Sequence, residues 1–280
     1  MSSTVFLAVL AAAAMHAVWN AMVKVRTDRF VTIQLMTLGM GAFALPVLFF
    51  VEVPSGITWL YLGLSTAFHC GYKFFLVKAY ETGDLAQSYP LARGTAPLIT
   101  TVGGIVLIQE VPGGWALAGI AALCLGTLLM SARGGGANAL GRRSVAFALI
   151  TSCFIAAYTL SDGTGARSAA TATSYAAWLY LLDAIWSTIF CLMLRGRGVL
   201  RAMLPEWKTG LVAGFLSAFA YWIAMWAMTK APIGAVAALR ETSILFAMMI
   251  SVWALGEKMT RWRAAAALLI VTGVVALRLA

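Results

Sequence analysis

The chain consists of long apolar stretches separated by short polar connections. Each stretch runs for about 20 residues, which is enough for an α-helix to cross the hydrocarbon core of a bilayer. Ten such stretches, spans 1 to 10, take up nearly the whole chain: 4–24, 31–51, 58–80, 86–108, 113–132, 144–164, 172–194, 207–229, 233–255 and 261–279. The pattern predicts an all-α polytopic membrane protein with ten transmembrane helices and no extramembrane domain.

One segment of the sequence occurs twice. Arg93 to Gly126 returns as Arg240 to Gly273 at a constant offset of 147 residues. Matched residues include scarce types, in the pairs Thr95 and Thr242, Glu110 and Glu257, and Trp115 and Trp262. Matches of scarce residues at one offset argue for duplication. The polar connection from Arg133 to Arg143 separates the halves, which we place at residues 1–138 and 139–280.

Five spans in each half have a consequence for orientation. Because five is odd, the second half enters the membrane from the opposite side, and the sequence predicts two inverted five-helix repeats. Inverted repeats are typical of secondary transporters, whose substrate sites lie near the membrane midplane between the repeats.

Composition and charge agree with a membrane protein. Of 280 residues, 62% are hydrophobic and 11% are charged, whereas soluble domains carry roughly a quarter charged residues. The net charge of +10 would suggest nucleic acid as the partner of a soluble protein. Here the positions of the charges indicate orientation and lipid contact instead, so we expect no nucleic-acid partner.

Lysine and arginine are concentrated on one side of the predicted topology. The connections after odd-numbered spans hold fourteen of them and the opposite side holds three: Arg167, Lys230 and Arg278. The positive-inside bias makes the basic side cytoplasmic. We therefore expect a protein of the cell inner membrane with both termini extracytoplasmic. The first span lacks a basic n-region, which predicts a retained helix rather than a cleaved signal peptide.

A family resemblance rests on residues in spans 1, 4 and 9. With the run from His16 to Asn20, and with Gln109-Glu110 and Gly256-Glu257 after spans 4 and 9, the sequence resembles the drug/metabolite transporter superfamily, in particular its ten-helix EamA-type exporters. Gln109 departs from the glycine that the family pattern has there. The resemblance implies a central cavity walled by spans 1–4 and 6–9, with spans 5 and 10 at the periphery.

Polar side chains inside the spans are the candidates for function. A charge at the bilayer centre costs about 2.5–3.5 kcal/mol, so such side chains should face protein or water. The candidate substrate-binding residues are His16, Trp19, Asn20, Tyr72, Lys73, Tyr89, Arg93, Trp178, Asp183, Tyr221, Trp222, Arg240 and Glu241. Spans 5 and 10 contribute almost no polar residue in their middles.

Structural roles are the alternative for several of these residues. Arg93 and Arg240 can form buried ion pairs with Glu241 or Asp183 that fix helix packing, and pairing can coexist with substrate contact. We expect Glu110 and Glu257, at helix ends, to cap or bond loops rather than to carry protons. If transport is coupled to protons, the embedded carboxylates Glu241 and Asp183 are the candidate carriers.

Motifs for chemistry are absent from the sequence. It has no phosphate loop, dinucleotide fingerprint, zinc-hydrolase or serine-hydrolase motif, and its four cysteines lack metal or disulfide spacing. We expect no enzyme activity, cofactor or metal, and interpret the chain as a secondary or facilitated transporter. The alternatives are an intramembrane lipid-handling enzyme, which should carry a carboxylate-rich Mg²⁺ motif, and a passive channel. The oligomeric state stays open.

The candidate lining combines both charge signs with aromatic surface. Arginine can bind a carboxylate through paired hydrogen bonds, and an acidic group or a ring face can bind an ammonium group. This combination favours zwitterions, so amino acids, including large neutral and aromatic ones, are the predicted substrates. The EamA-type resemblance agrees, because that group includes amino-acid and metabolite exporters. Nucleotide sugars, phosphorylated sugars and cationic drugs are the alternatives.

Overall fold

The computed structural model describes residues 1–24, 29–82, 85–134, 141–255 and 259–280. These residues form twelve α-helices and no β-strand. The helices are α1 Ser3–Lys24, α2 Arg29–Val47, α3 Thr58–Thr82, α4 Leu85–Ile108, α5 Gly114–Gly134, α6 Arg142–Ser168, α7 Ala172–Arg195, α8 Gly198–Met203, α9 Trp207–Met228, α10 Ile233–Arg240, α11 Ser243–Leu255 and α12 Arg261–Leu279.

The helices match the predicted spans closely. Nine stretches of the described chain are long and apolar enough to cross a membrane, with α8 and α9 in one of them and α10 and α11 in another. Helix α3 adds a tenth crossing by length, because its 25 residues rise about 37 Å. Its middle is more polar, with His69, Tyr72 and Lys73. The prediction of an all-α polytopic membrane protein is confirmed.

One predicted span is wrong in its detail. Span 9 is broken at Glu241 and Thr242, between α10 and α11. The backbone tightens there, since the N–H of Glu241 bonds the carbonyl of Ala238 at 2.9 Å and that of Thr242 bonds Leu239 at 3.2 Å. These three-residue closures replace the usual four-residue ones. Hydropathy does not register such a break, because the residues on both sides of it remain apolar.

Helix α4 is continuous but lacks one helical hydrogen bond near the matching place. Pro97 lies inside the helix and has no N–H to donate to the carbonyl four residues earlier, which is that of Arg93. Arg93 and Arg240, 147 residues apart, therefore both lie where regular helical bonding is disturbed. In membrane proteins such interruptions are tolerated where the backbone is buried in protein or lines a cavity.

The two termini lie together on one face of the bundle, the terminal face. The guanidinium of Arg278 donates to the carbonyl of Met1 at 3.2 Å and to Ser3 Oγ at 2.8 Å. Because successive spans alternate in direction, α5 ends and α6 begins on the opposite face. There Ser144 Oγ is 2.9 Å from Ser88 Oγ, and Ser131 Oγ donates to the carbonyl of Gln87 at 2.6 Å.

The helix contacts come in matching pairs when the halves are exchanged. The contact between α3 and α6 corresponds to the contact between α9 and α1. In the same way, the α2–α9 contact corresponds to the α7–α3 contact, and the α4–α6 contact corresponds to the α11–α1 contact. This reciprocity supports our proposal that residues 1–138 and 139–280 are two inverted repeats of one five-helix unit.

Helices α5 and α12 pack against each other through glycines. A Cβ on Gly273 would lie 2.7 Å from the carbonyl oxygen of Gly119, and one on Gly126 would lie 2.9 Å from that of Ala266. Small residues allow helix backbones to approach this closely in membranes. Gly126 and Gly273 are themselves a matched pair of the duplicated segment, so each half supplies a small residue to the same interface.

Candidate functional site

A buried ion pair joins the two halves. The guanidinium of Arg93 on α4 meets the carboxylate of Glu241, with Nη2 at 2.6 Å from Oε1 and Nε at 3.2 Å from Oε2. The residues are only 7% and 3% exposed. This two-point geometry is the stronger form of the arginine–carboxylate interaction. Arg93 therefore forms the buried ion pair that was one of its two predicted roles, and its partner is Glu241.

Arg240 lies one residue before Glu241 and is bonded differently. Its guanidinium carbon is 4.8 Å from the centroid of the Tyr221 ring on α9, and the residue is 9% exposed. In the part of the chain that the structure describes, this guanidinium has neither a hydrogen bond nor an ion pair. Of the two matched arginines, Arg93 thus forms the ion pair that was one alternative for both, and Arg240 does not form it within the described chain. The turn directs Glu241 to α4 and Arg240 to α9.

Residues of α1 and α4 flank the two arginines. Tyr89 Oη donates to Asn20 Oδ1 at 3.3 Å, and Asn20 Nδ2 donates to the carbonyl of His16 at 2.9 Å. The ring of His16 is within electrostatic range of both Arg93 and Arg240.

The rings of His16 and Trp19 meet edge to face at 4.7 Å. Both His16 Nε2 and Trp19 Nε1 are buried without a hydrogen-bond partner among the described residues. Burying a polar group without a partner costs about 1–3 kcal/mol.

An aromatic cluster lies against the site. It consists of four rings from α3, α6 and α9: His69, Tyr72, Tyr158 and Tyr221. His69 stacks on Tyr158 at 4.1 Å, Tyr72 lies 5.6 Å from Tyr158, and Tyr221 lies 6.2 Å from Tyr158. The cluster thus connects the predicted Tyr72 and Tyr221 through Tyr158, which the sequence analysis did not select.

Asp162 on α6 is a second residue that the sequence analysis missed. It is 0% exposed and accepts hydrogen bonds from Tyr175 Oη at 3.0 Å and from Tyr221 Oη. The signal was present in the sequence, because Asp162 is a lone carboxylate inside the predicted span 144–164. The hydroxyl of Tyr221 bonds Asp162 while its ring contacts Arg240, so this tyrosine belongs to both arrangements.

Lys73 and Asp183 form a separate ion pair between α3 and α7. Lys73 Nζ is 2.9 Å and 2.8 Å from the two oxygens of Asp183 and 2.9 Å from Ser187 Oγ. The candidate residues Lys73 and Asp183 therefore neutralise each other in this conformation. A small cleft lined by Gln34, Cys70 and Phe190 among others adjoins them.

Trp178 and Trp222 are held nearer the terminal face. Trp222 Nε1 donates to Thr173 Oγ1 at 3.0 Å, and the ring of Trp178 lies 5.4 Å from that of Trp59. Within the described ranges, neither tryptophan bonds or stacks with Arg93, Arg240 or Glu241. The structure therefore does not join these two candidates to the arginines.

Glu110 bonds residues of α6 and α10 at the terminal face. Its Oε1 is 2.8 Å from Arg167 Nη2, and its Oε2 accepts from the N–H of Ile233, the first residue of α10, at 2.7 Å. Arg167 also donates to the carbonyls of Met228 at 2.8 Å and Ala231 at 3.0 Å. Glu110 thus bonds a loop and a helix start, as expected. The repeat partners Gly256 and Glu257 lie outside the described residues.

Comparison with known proteins identifies a family domain in the second half of the chain. Residues 143–279 match the EamA-like transporter family. A solved structure titled only "Crystal structure of protein" aligns with a TM-score of 0.79 over 99% of this chain and 96% of its own, at 18% identity, which shows a shared fold alone. A search of curated proteins finds no match. The second half of the chain is therefore an EamA-like transporter domain, and the chain as a whole is a multi-pass membrane protein.

Proposed function

We propose that this transporter exports amino acids, large neutral and aromatic ones included, by alternating access. The observation that carries the proposal is the guanidinium of Arg240, which is buried beside Tyr221 without an anionic partner among the described residues. A buried cation is costly unless it is paired. A substrate carboxylate would supply the missing partner through two parallel hydrogen bonds.

The charge balance of the site supports a substrate with one carboxylate. Arg93 is neutralised by Glu241, and Lys73 is neutralised by Asp183. Arg240 is then the single uncompensated cation of the central site within the described chain. A phosphorylated sugar or nucleotide sugar carries more negative charge than one guanidinium balances, which disfavours those alternatives.

The substrate's ammonium group would find its partners among the aromatic rings. Tyr158, 6.2 Å from Tyr221, offers a ring face for a cation, while Glu241 keeps lone pairs beyond those that Arg93 uses. A purely cationic drug would require an accessible carboxylate without a cation. Asp162 does not meet this requirement, because two tyrosine hydroxyls bond it and it is 0% exposed.

The orientation in the membrane follows from the charge distribution. In the predicted topology, fourteen lysines and arginines fall in the connections after odd-numbered spans and three on the opposite side, which supports a cytoplasmic position for the side where α5 ends. We propose the cell inner membrane as the location, with both termini outside. Alternating access would then arise from rocking of the two repeats about the Arg93–Glu241 contact that joins them.

Counterflow in proteoliposomes tests the proposal. Vesicles containing the full-length protein are loaded with unlabelled phenylalanine, diluted, and given a trace of labelled phenylalanine. We expect a transient accumulation of label that protein-free vesicles and a channel do not produce. Absence of counterflow for a panel of neutral and aromatic amino acids, with protein shown to be folded and inserted, would refute the proposed substrate class.

A further inference from the structure

Asp162 is a buried carboxylate that the proposed substrate site does not use. In the described chain it forms no ion pair, whereas other acidic groups of the bundle each lie within 2.8 Å of a cationic nitrogen: Asp183, Glu241 and Glu110. Its hydrogen-bond partners are the hydroxyls of Tyr175 and Tyr221, and the side chain of Ser65 is also within hydrogen-bonding range. A charged carboxylate without a cation in a dry interior is costly, and binding one proton removes that charge.

The surroundings of Asp162 are neutral or weakly basic. The titratable groups that face it are His69 on α3, Tyr175 and Tyr180 on α7, and Tyr221 on α9. On its own helix, Tyr158 is within electrostatic range. The arginines of α4 and α10, Arg93 and Arg240, act on Asp162 only indirectly, through the tyrosines that lie between.

Tyr221 links this carboxylate to the proposed substrate site. Its hydroxyl donates to Asp162 Oδ2, and its ring lies under the guanidinium of Arg240 at 4.8 Å. A substrate carboxylate that draws Arg240 away from the ring would alter the position of Tyr221. Conversely, loss or gain of the Asp162 hydrogen bond would alter the surface on which Arg240 rests.

We propose that Asp162 binds and releases the proton that drives transport, and that Tyr221 couples this proton to the substrate bound at Arg240. This inference rests on the proposed function only where it places the substrate at Arg240. In this conformation Asp162 has no exposed surface, so its proton passes to water, or arrives from it, when the contacts between α6, α7 and α9 open. Proton and substrate move in opposite directions across the membrane.

A pH gradient across proteoliposomes tests this coupling. Vesicles that are acidic inside should accumulate external labelled phenylalanine above equilibrium by exchange for protons. Asp162→Asn keeps the size of the side chain and an oxygen that accepts from one tyrosine hydroxyl, while its NH2 group can donate to the other, and it carries no exchangeable acidic proton. We expect this variant to retain counterflow without a gradient and to lose accumulation under the gradient. Glu52→Gln, which alters an exposed acidic residue, is the matched control and should keep both.

A second pair of variants separates the two tyrosines. Tyr221→Phe keeps the ring under Arg240 and removes the hydroxyl from Asp162, and Tyr175→Phe removes the other hydroxyl without touching the arginine. We expect Tyr221→Phe to lower the accumulation driven by each unit of pH gradient more than Tyr175→Phe does. Equal effects of the two would contradict the linking role of Tyr221.

Infrared spectroscopy provides a readout that needs no substrate. The purified protein should show a carbonyl band of a protonated carboxylic acid that titrates with pH and is missing from Asp162→Asn. If that variant does not fold, Asp162→Glu should keep the band at a shifted frequency. The proposal would be overturned if Asp162→Asn still accumulated substrate under the pH gradient, or if a Na⁺ gradient drove accumulation instead of a pH gradient. It would also be overturned if neither substitution affected the infrared band. The infrared result holds even if amino acids are not the substrates.

Discussion

Arg93 and Glu241 form a two-point ion pair across the boundary between the two halves of the chain, at 2.6 Å and 3.2 Å. The duplication places Gly94 where the second half has Glu241. A Cβ on Gly94 would lie 2.9 Å from the Thr127 side chain, so α5 leaves no room for a larger residue there. One half therefore supplies an acid that the other lacks, and only Arg93 of the two matched arginines is neutralised.

Removing Arg93 should destabilise the protein strongly. Arg93→Ala leaves the carboxylate of Glu241 buried without its partner, which typically costs about 3–5 kcal/mol. Replacing both members, as Arg93→Met with Glu241→Met, should recover much of that stability because no charge remains unpaired. Unfolding of the purified variants in detergent measures the difference. A double variant no more stable than Arg93→Ala would contradict the role of the pair.

The glycine contact between α5 and α12 should not tolerate a larger residue. A side chain on Gly273 meets the backbone of Gly119 at 2.7 Å, and backbone cannot move aside as a flexible side chain can. Gly273→Leu should lower the unfolding temperature by several degrees, since overpacking costs typically about 1–3 kcal/mol. Gly63→Ala is the matched control, because a Cβ there meets nothing within 4 Å and alanine favours the helix. Equal stability of the two variants would rule out the tight interface.

The hydrogen bonds of Arg167 on the terminal face should depend on the planar, forked guanidinium group of arginine. Arg167 donates to two carbonyls besides Glu110, and lysine cannot reach all three acceptors in that geometry. Arg167→Lys should therefore cost about 1–2 kcal/mol of stability, at roughly 1 kcal/mol for each lost hydrogen bond. Arg278→Lys, at the exposed contact with Met1 and Ser3, should cost less than about 0.5 kcal/mol. The reverse order of the two would contradict the account.

Much of the fold is predictable from the sequence because the apolar runs are long and nearly all of the chain lies in them. The number of crossings and most helix ends follow from run length alone. The break at Glu241 and Thr242 does not, since the preference for a turn there is set by contacts with α4 and α9. Hydropathy averages over such a local change in hydrogen bonding.

The sequence predicts which charged residues belong to the site better than it predicts which of them form ion pairs with each other. Arg93, Arg240 and Glu241 stand out as charges inside apolar spans, and Asp162 carries the same signal. Which cation meets which carboxylate depends on tertiary packing. The sequence therefore did not indicate that Asp183 pairs with Lys73 across α3 and α7, or that Arg240 is left without an anion in the described chain.

The topology gives a prediction that is independent of the substrate. Single cysteines in place of Ser2 and Ala280 should react with a membrane-impermeant maleimide added to intact cells, in a background without the native cysteines. A cysteine in place of Gly141, before α6, should react only after the membrane is opened. This follows from the excess of lysine and arginine on the α5–α6 face. Labelling of the Gly141 position alone in intact cells would reverse the proposed orientation.

Carboxylate recognition by Arg240 is the central claim, and competition for counterflow by matched analogues tests it most directly. Phenylalanine and phenylalaninamide differ in the carboxylate, and Arg240→Ala removes its proposed partner. A hydrogen bond to a charged group is worth about 1.5–3 kcal/mol, where about 1.4 kcal/mol is tenfold in affinity.

We expect phenylalanine to compete with labelled phenylalanine about tenfold or more better than the amide does in the parent protein. In Arg240→Ala this preference should vanish, because the affinity for phenylalanine falls. Arg240→Lys should keep part of the preference. Arg201→Ala, which changes an exposed arginine, should keep all of the preference. A preference for the carboxylate that survives in Arg240→Ala, with counterflow unchanged, would contradict the account.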